Sequence, residues 1–230
     1  MSLSDPRWQP ASQQRIVGLL LAAGISSRFG SPKLLHALAD GSRVGIRSAL
    51  NLIDALPWSV AVVSPQRVLL KSLLQAAGLH VLECENAHLG IGESLAFAIR
   101  NTHNAAGWVI ALADMPFIEP STIRLVARRL ANGGALVLPT YNGKRGHPVG
   151  FAHHYFGQLA GLQGDTGARA LVEQDAHLAQ YVPVNDSGIH LDIDTPADLA
   201  RYDERTTLNA DTPSASIQRS YVNGHEGMIR

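Results

Sequence analysis

At 230 residues, 46% of them apolar, the chain has the length and composition of one globular domain. Nineteen basic and nineteen acidic side chains cancel, so a broad nucleic-acid surface is not expected, while a local cationic pocket stays open. No apolar stretch approaches the roughly 20 residues of a membrane span, so no membrane partner is expected either. The single cysteine, Cys84, allows no internal disulfide and fits a reducing compartment such as the cytoplasm. Arg15 followed by Ile16 to Ala23 mimics a signal peptide with an Ala-Ala-Gly cleavage site. That reading is set aside, because cleavage would separate an apolar strand from the Gly-rich loop it leads into, and the leader has no dense positive start.

In chain order, residues 1–14 are polar, contain Pro6 and Pro10, and read as a loose arm before a domain over 15–205. Ile16 to Leu21 is short, fully apolar and partly branched, the pattern of a buried strand. It runs into a loop rich in Gly and Ser that ends at Lys33. Gly24 and Gly30 let that loop turn sharply and bring its N–H groups close to a ligand. Successive N–H groups in one concavity make an anion site. Arg28 adds a forked cation and Lys33 a mobile point charge. An ordinary strand-to-helix turn with surface cations is the other reading.

Apolar residues near helical spacing predict a helix over 43–56, with Pro57 beyond it. A strand comes next at 59–64, then a helix over 68–77 stopped by Gly78, then a strand at 79–83 with Cys84 as a small buried hydrophobe at its end. Gly90 and Gly92 precede a helix with Ser94 in its first turn. Such a start binds an anion or a ribose hydroxyl, or is only a flexible helix start. Residues 108–113 form a fourth apolar strand that runs straight into Asp114. A carboxylate at the C-terminal end of a buried strand stands where open α/β sheets place their ligands, unless it serves as a turn or cap residue. Pro120 and Ser121 already begin the next helix, over 121–130, so Asp114 is not needed as its cap.

A strand is predicted at 135–139, and 141–151 reads as a cationic turn leading into an apolar strand. His147, before Pro148, reads as a backbone-shaping or surface residue rather than a catalyst. Residues 164–169 open another helix, with Asp165 or Thr166 as its cap, and 180–184 is a short strand. Over 191–198 apolar and acidic residues alternate, placing Asp192 and Asp194 on one side, with Thr195 as N-cap and Pro196 at the first helical position. A solvated strand end is the alternative there. Residues 206–230 are polar without apolar periodicity and are expected to be a disordered tail. Strands alternating with helices indicate βαβ units: an α/β fold with a mostly parallel sheet and helices on both faces. The cationic loop and the two acidic segments then meet at one sheet edge, and opposed carboxylates suit a hard divalent cation such as Mg2+.

The stretch Leu21-Ala22-Ala23-Gly24-Ile25-Ser26-Ser27-Arg28-Phe29-Gly30-Ser31-Pro32-Lys33 resembles the signature loop of the Rossmann-like nucleotidyltransferases. Their pattern is Leu-Ala-x-Gly-x-Ser-x-Arg-Met-Gly-x-x-Lys, and Phe29 stands at the Met position. Within that superfamily the chain resembles the molybdenum cofactor cytidylyltransferases. The residues that carry this are Ala-Ala-Gly in place of the Ala-Gly-Gly of the guanylyltransferase branch, Gly90 to Leu95, Ala113 to Pro116, Gly146 to Phe151, Gly164 to Arg169 and Asp192 to Pro196. The resemblance implies a Rossmann-like three-layer αβα sandwich, like that of the nucleotide-diphospho-sugar transferases. It implies Mg2+-dependent transfer of CMP from CTP to molybdopterin cofactor, with release of pyrophosphate.

By the same resemblance, Leu21, Ala22, Ala23, Gly24, Ser26, Arg28, Lys33, Gly90, Gly92 and Ser94 bind the nucleotide. Arg28 and Lys33 act as the catalytic cations. Asp114, with Asp192 or Asp194, holds the metal. His147, Pro148, Thr166 and Arg169 face the acceptor. The chain's partners are then CTP, molybdopterin cofactor and a molybdenum enzyme that receives it. Two alternatives stand beside this: a relative that uses GTP or another phosphorylated acceptor, and a cofactor-binding chaperone for a molybdenum hydroxylase. Intact Gly24, Arg28, Lys33 and Asp114 argue against the chaperone as sole function.

Overall fold

The computed structural model describes residues 15–24, 32–195 and 197–199. The expected arm over 1–14, the expected tail over 206–230, and Ser26, Arg28, Gly30 and Pro196 lie outside the described residues. The elements alternate as the apolar runs require: β1 (Ile16–Leu21), α1 (Val44–Ala55), β2 (Ser59–Val63), α2 (Val68–Ala76), β3 (His80–Glu83), α3 (Ile91–Asn101), β4 (Gly107–Leu112) and α4 (Pro120–Ala131). Then come β5 (Leu136–Tyr141), β6 (Lys144–Arg145), β7 (Val149–Ala152), α5 (Phe156–Ala160), α6 (Arg169–Gln174) and β8 (Ala179–Pro183). They build one eight-stranded sheet in the order β3-β2-β1-β4-β7-β5-β6, with β8 paired to β5.

The two-residue period of a strand sorts side chains to opposite faces. Leu20 on β1 and Ala22 just beyond it join the apolar layer that holds Leu52, Leu74 and Val126, from α1, α2 and α4. Val17, Leu19 and Leu21 join the other layer, with Leu95 and Ile99 of α3, Leu159 of α5 and Val172 of α6. Helices therefore cover both faces of the sheet, the expected three-layer α/β arrangement. No helix among the described residues is long and apolar enough to cross a membrane.

The sheet is mixed rather than wholly parallel. The pairs β2–β3, β1–β2, β1–β4 and β5–β8 are parallel, whereas β7 runs antiparallel between β4 and β5. The turn after β5 is the reason. Thr140 pairs with Arg145 and Tyr141 with Lys144, leaving Asn142-Gly143 as a two-residue loop. Both loop residues have positive φ, 49° and 74°, the backbone that an Asn-Gly hairpin turn requires.

Two local expectations are corrected. The helix α6 begins at Arg169 behind Ala168, with no side-chain cap, so neither Asp165 nor Thr166 caps it. The acidic segment 191–194 forms no strand. It is held instead by Ile193, which is fully buried and whose N–H donates to the Asp114 carbonyl at 2.9 Å. Thr195 does cap the following turn: the Asp198 N–H donates to Thr195 Oγ1 at 3.3 Å, and the Thr195 N–H donates back to Asp198 Oδ2 at 2.8 Å.

Candidate active site

The parallel register brings the site together. Leu21 of β1 lies opposite Leu112 of β4, so Gly24 and Asp114 come next at the same sheet edge. Val149 of β7 lies opposite Ile110, and because β7 is antiparallel, His147 enters at that edge too. The exit of β4 is tied down from α1. Ser48 Oγ donates to the Ala113 carbonyl at 2.9 Å, and Asn51 Nδ2 donates to the carbonyls of Pro116 and Ile118 at 2.9 and 3.0 Å. Buried Asp186 anchors the return after β8 by accepting from the Glu119 N–H, the Thr122 hydroxyl and the Gly188 N–H. The neighbouring Ile189 carbonyl accepts from the His147 N–H at 3.0 Å.

At the centre stands Lys33, which opens a short 3-10 turn whose next residue, Leu34, is buried. Its Nζ donates to Asp114 Oδ2 and to Asp194 Oδ1, each at 2.9 Å. Burial alone would lower the lysine pKa. The charges and hydrogen bonds of Asp114 and Asp194 outweigh it, so the pKa is raised and the ammonium is held charged. Asp114 Oδ1 is buried and has no hydrogen-bond partner among the described residues. Asp192 stands apart from this contact, with its side chain open to solvent. Partial burial raises its carboxyl pKa, and the negative charges of Asp194 and Asp114 push the same way. Of the two acidic candidates, Asp194 is the one in contact with Lys33.

Beside the carboxylates opens a cavity of about 510 Å3. Leu21, Ile110, Leu138 and Phe151 give it an apolar floor, and Arg145, His147, Asp165 and Arg169 supply polar groups. Burial lowers the His147 pKa, the Asp114 charge opposing it, and Nδ1 has no partner among the described residues. His147 thus lines the cavity within reach of the Asp114 charge, with its protonated form disfavoured by burial. Of the expected acceptor residues, His147 and Arg169 line the cavity. Pro148 and Thr166 do not.

Gly90, at the N-cap of α3, and Gly92, in its first turn, have a packing reason. Gly92 N–H donates to the Gly164 carbonyl at 2.8 Å, and a Cβ on Gly92 would stand 2.5 Å from the Thr166 carbonyl oxygen. That N–H is therefore already engaged within the chain. Ser94 is buried in the first turn of α3. Ala22 and Ala23 are buried as well, and Ala23 belongs to the apolar layer of Leu82, Cys84 and Ala87.

One cation at the site escaped the sequence reading, and another, Arg145, enters it only as part of a cationic turn. Arg67, just before α2, donates to the Gly24 carbonyl at 3.0 Å. It lies beyond β2 at the same sheet edge, a position that the edge rule for α/β sheets singles out. Arg145 and Arg169 both reach Glu173 Oε1, at 3.5 and 2.8 Å. That they share Glu173 carries no local signal, since 28 residues separate Arg145 from it.

Comparison with known proteins agrees with the α/β fold. Residues 18–180 match the MobA-like NTP transferase domain. The Bacillus subtilis (strain 168) purine catabolism protein PucB is 30% identical over 194 residues, covering 79% of this chain and 92% of its own length. The crystal structure of Rv0371c from Mycobacterium tuberculosis H37Rv superposes with a TM-score of 0.73 at 28% identity, covering 84% of this chain and 100% of that one. A complex of Rv0371c with manganese superposes with a TM-score of 0.69 over the same shares. With a family match across most of its length and a homologue at this identity, the chain belongs to the MobA-like NTP transferase domain family.

Proposed function

We propose that the chain transfers CMP from CTP to molybdopterin cofactor, releasing pyrophosphate. The observation that carries the reading is the convergence of Lys33, Asp114 and Asp194 at the edge where the β1 loop ends. An oxygen of the acceptor phosphate attacks the α-phosphorus of the triphosphate. The new P–O bond forms as the bond to the bridging oxygen of pyrophosphate breaks, and the bonding electrons leave with pyrophosphate. No protein nucleophile is required, so the chain contributes position and charge. The loop over 21–33, with Arg28 and Lys33, holds the triphosphate. Gly90 to Ser94 frame the base and ribose side. The apolar cavity takes the body of the acceptor, with His147, Arg145 and Arg169 as its polar contacts.

The carboxylates fit a hard divalent cation: Asp114 Oδ1 is buried without a partner among the described residues, and Asp114 and Asp194 already converge on one positive charge. Among the described residues no group of three His, Cys, Asp or Glu side chains is placed to hold a metal unaided. The remaining ligands would be phosphate oxygens and water, as Mg2+ prefers. Asp114 and Asp194 would hold Mg2+, which would supply positive charge to offset that on the leaving pyrophosphate. The manganese complex of the mycobacterial homologue supports a divalent cation. A cytoplasmic location and a molybdenum enzyme as recipient complete this reading.

The test is a nucleotide-incorporation assay with molybdopterin acceptor, counting CMP from CTP against GMP from GTP. CMP incorporation is the expected result, and GMP incorporation alone would replace cytidylyl by guanylyl transfer. A second reading makes the chain a cofactor carrier for a molybdenum hydroxylase. What favours it is the name of the Bacillus homologue, which speaks of purine catabolism and not of nucleotide transfer. Acceptor binding with no pyrophosphate release from either nucleotide would select that second reading.

A further inference from the structure

The ammonium of Lys33 stands between the two carboxylates that are offered to a divalent cation. It is 2.9 Å from Asp114 Oδ2 and 2.9 Å from Asp194 Oδ1, and only 12% of its side chain is exposed. We infer that Lys33 is a built-in counter-cation of the Asp114–Asp194 pair, so that the site admits a divalent cation together with a nucleoside triphosphate and resists the cation alone. This rests on the nucleotidyl-transfer reading above.

The reasoning is electrostatic. Two carboxylates converging in a half-buried site repel each other unless a positive charge stands between them. Lys33 supplies that charge and occupies one oxygen of each carboxylate. A dipositive ion within a few ångströms of an ammonium is repelled by it, so the two cannot share the pair. Lys33 must therefore leave, and its four-carbon stem lets the head swing. With no anion to receive it, the displaced ammonium loses both of its ion pairs and gains none in return. A triphosphate supplies that anion. Cation and nucleotide then favour each other's binding through Lys33, a reciprocal coupling between two ligands.

The experiment is Mn2+ titration followed by electron paramagnetic resonance. It uses the full chain, with and without a non-hydrolysable CTP analogue, in wild type, Lys33→Met and Lys33→Arg. In wild type the analogue is expected to tighten Mn2+ binding about tenfold or more. Without nucleotide, Lys33→Met binds Mn2+ about tenfold tighter than wild type, and Lys33→Arg, which keeps the charge, does not. Melting gives an independent readout. Mn2+ alone raises the melting temperature of Lys33→Met, whose carboxylates lack a counter-cation, and leaves that of wild type unchanged. Equal Mn2+ affinity of wild type and Lys33→Met without nucleotide overturns the inference and leaves the metal assignment standing. Lys33→Arg binding as tightly as Lys33→Met also overturns it. No Mn2+ binding to any of the three proteins, with or without the analogue, overturns the metal assignment and this inference together.

Discussion

Gly90→Ala places a methyl group where backbone already stands. Gly90 has φ 136° and ψ 174°, a region open essentially to glycine alone. Its added Cβ would lie 2.3 Å from both the carbonyl carbon and oxygen of Gly164, and 2.5 Å from the Asp165 nitrogen. These are main-chain atoms, so no side-chain rotation relieves the contact. The backbone term costs about 1–3 kcal/mol. The steric term adds about 1–3 kcal/mol. A loss of about 2–6 kcal/mol is therefore expected, a large part of the roughly 5–15 kcal/mol typical of a folded domain. Urea denaturation followed by circular dichroism measures it. The displaced turn carries Asp165 and Gly167 and leads to Arg169, all of which line the cavity. In the nucleotide-incorporation assay, KM for the acceptor should accordingly rise more than KM for the nucleotide. A variant as stable as wild type would refute the packing argument. So would one whose only defect is nucleotide affinity, because the glycine would then serve the nucleotide and not the turn.

The remaining predictions concern single residues. Asp114→Ala should keep the wild-type circular dichroism spectrum and lose about 10²–10³-fold or more in turnover, as when one preorganised charge is removed from a reacting phosphate. Undiminished turnover would withdraw Asp114 as a metal ligand. Cys84 is 2% exposed and burial pushes its thiol pKa up, so a disulfide reagent should titrate it only after unfolding. Fast reaction in the native protein would contradict the burial. His147 has a pKa below its ordinary 6.5 in the fold, so the unfolded chain binds the proton first. Its contribution to stability is complete above pH 6.5, falls as pH drops through that value and levels off below the folded pKa. The stability difference between wild type and His147→Gln should follow that curve, and a pH-independent difference would refute it. Gly157→Ala, in α5 with open space around the new methyl, should stabilise by about 0.5–1 kcal/mol in urea denaturation. A loss of stability there would contradict the open surroundings.

The apolar runs by themselves determined the strand and helix order through β4 and α4, and with it the α/β class. Ile16–Leu21 and Gly107–Leu112 are legible because a strand covered on both faces must be apolar at every position. The same logic put Asp114 at a strand end, and the Gly-Ser loop with its cations pointed to a triphosphate. The antiparallel entry of β7 was written in Asn142-Gly143, a turn signal masked by the cations beside it, which point toward chemistry instead. Other features had no local signal. That Lys33 bridges Asp114 and Asp194 depends on contacts spanning 81 and 161 residues. That Asp194, not Asp192, makes the contact depends on Ile193 burying itself and bonding to the Asp114 carbonyl. Gly90 and Gly92 looked like a ligand-binding helix start. That they also make room for the backbone of the Gly164 turn shows only in the tertiary structure, because what approaches a glycine is not recorded in its own sequence.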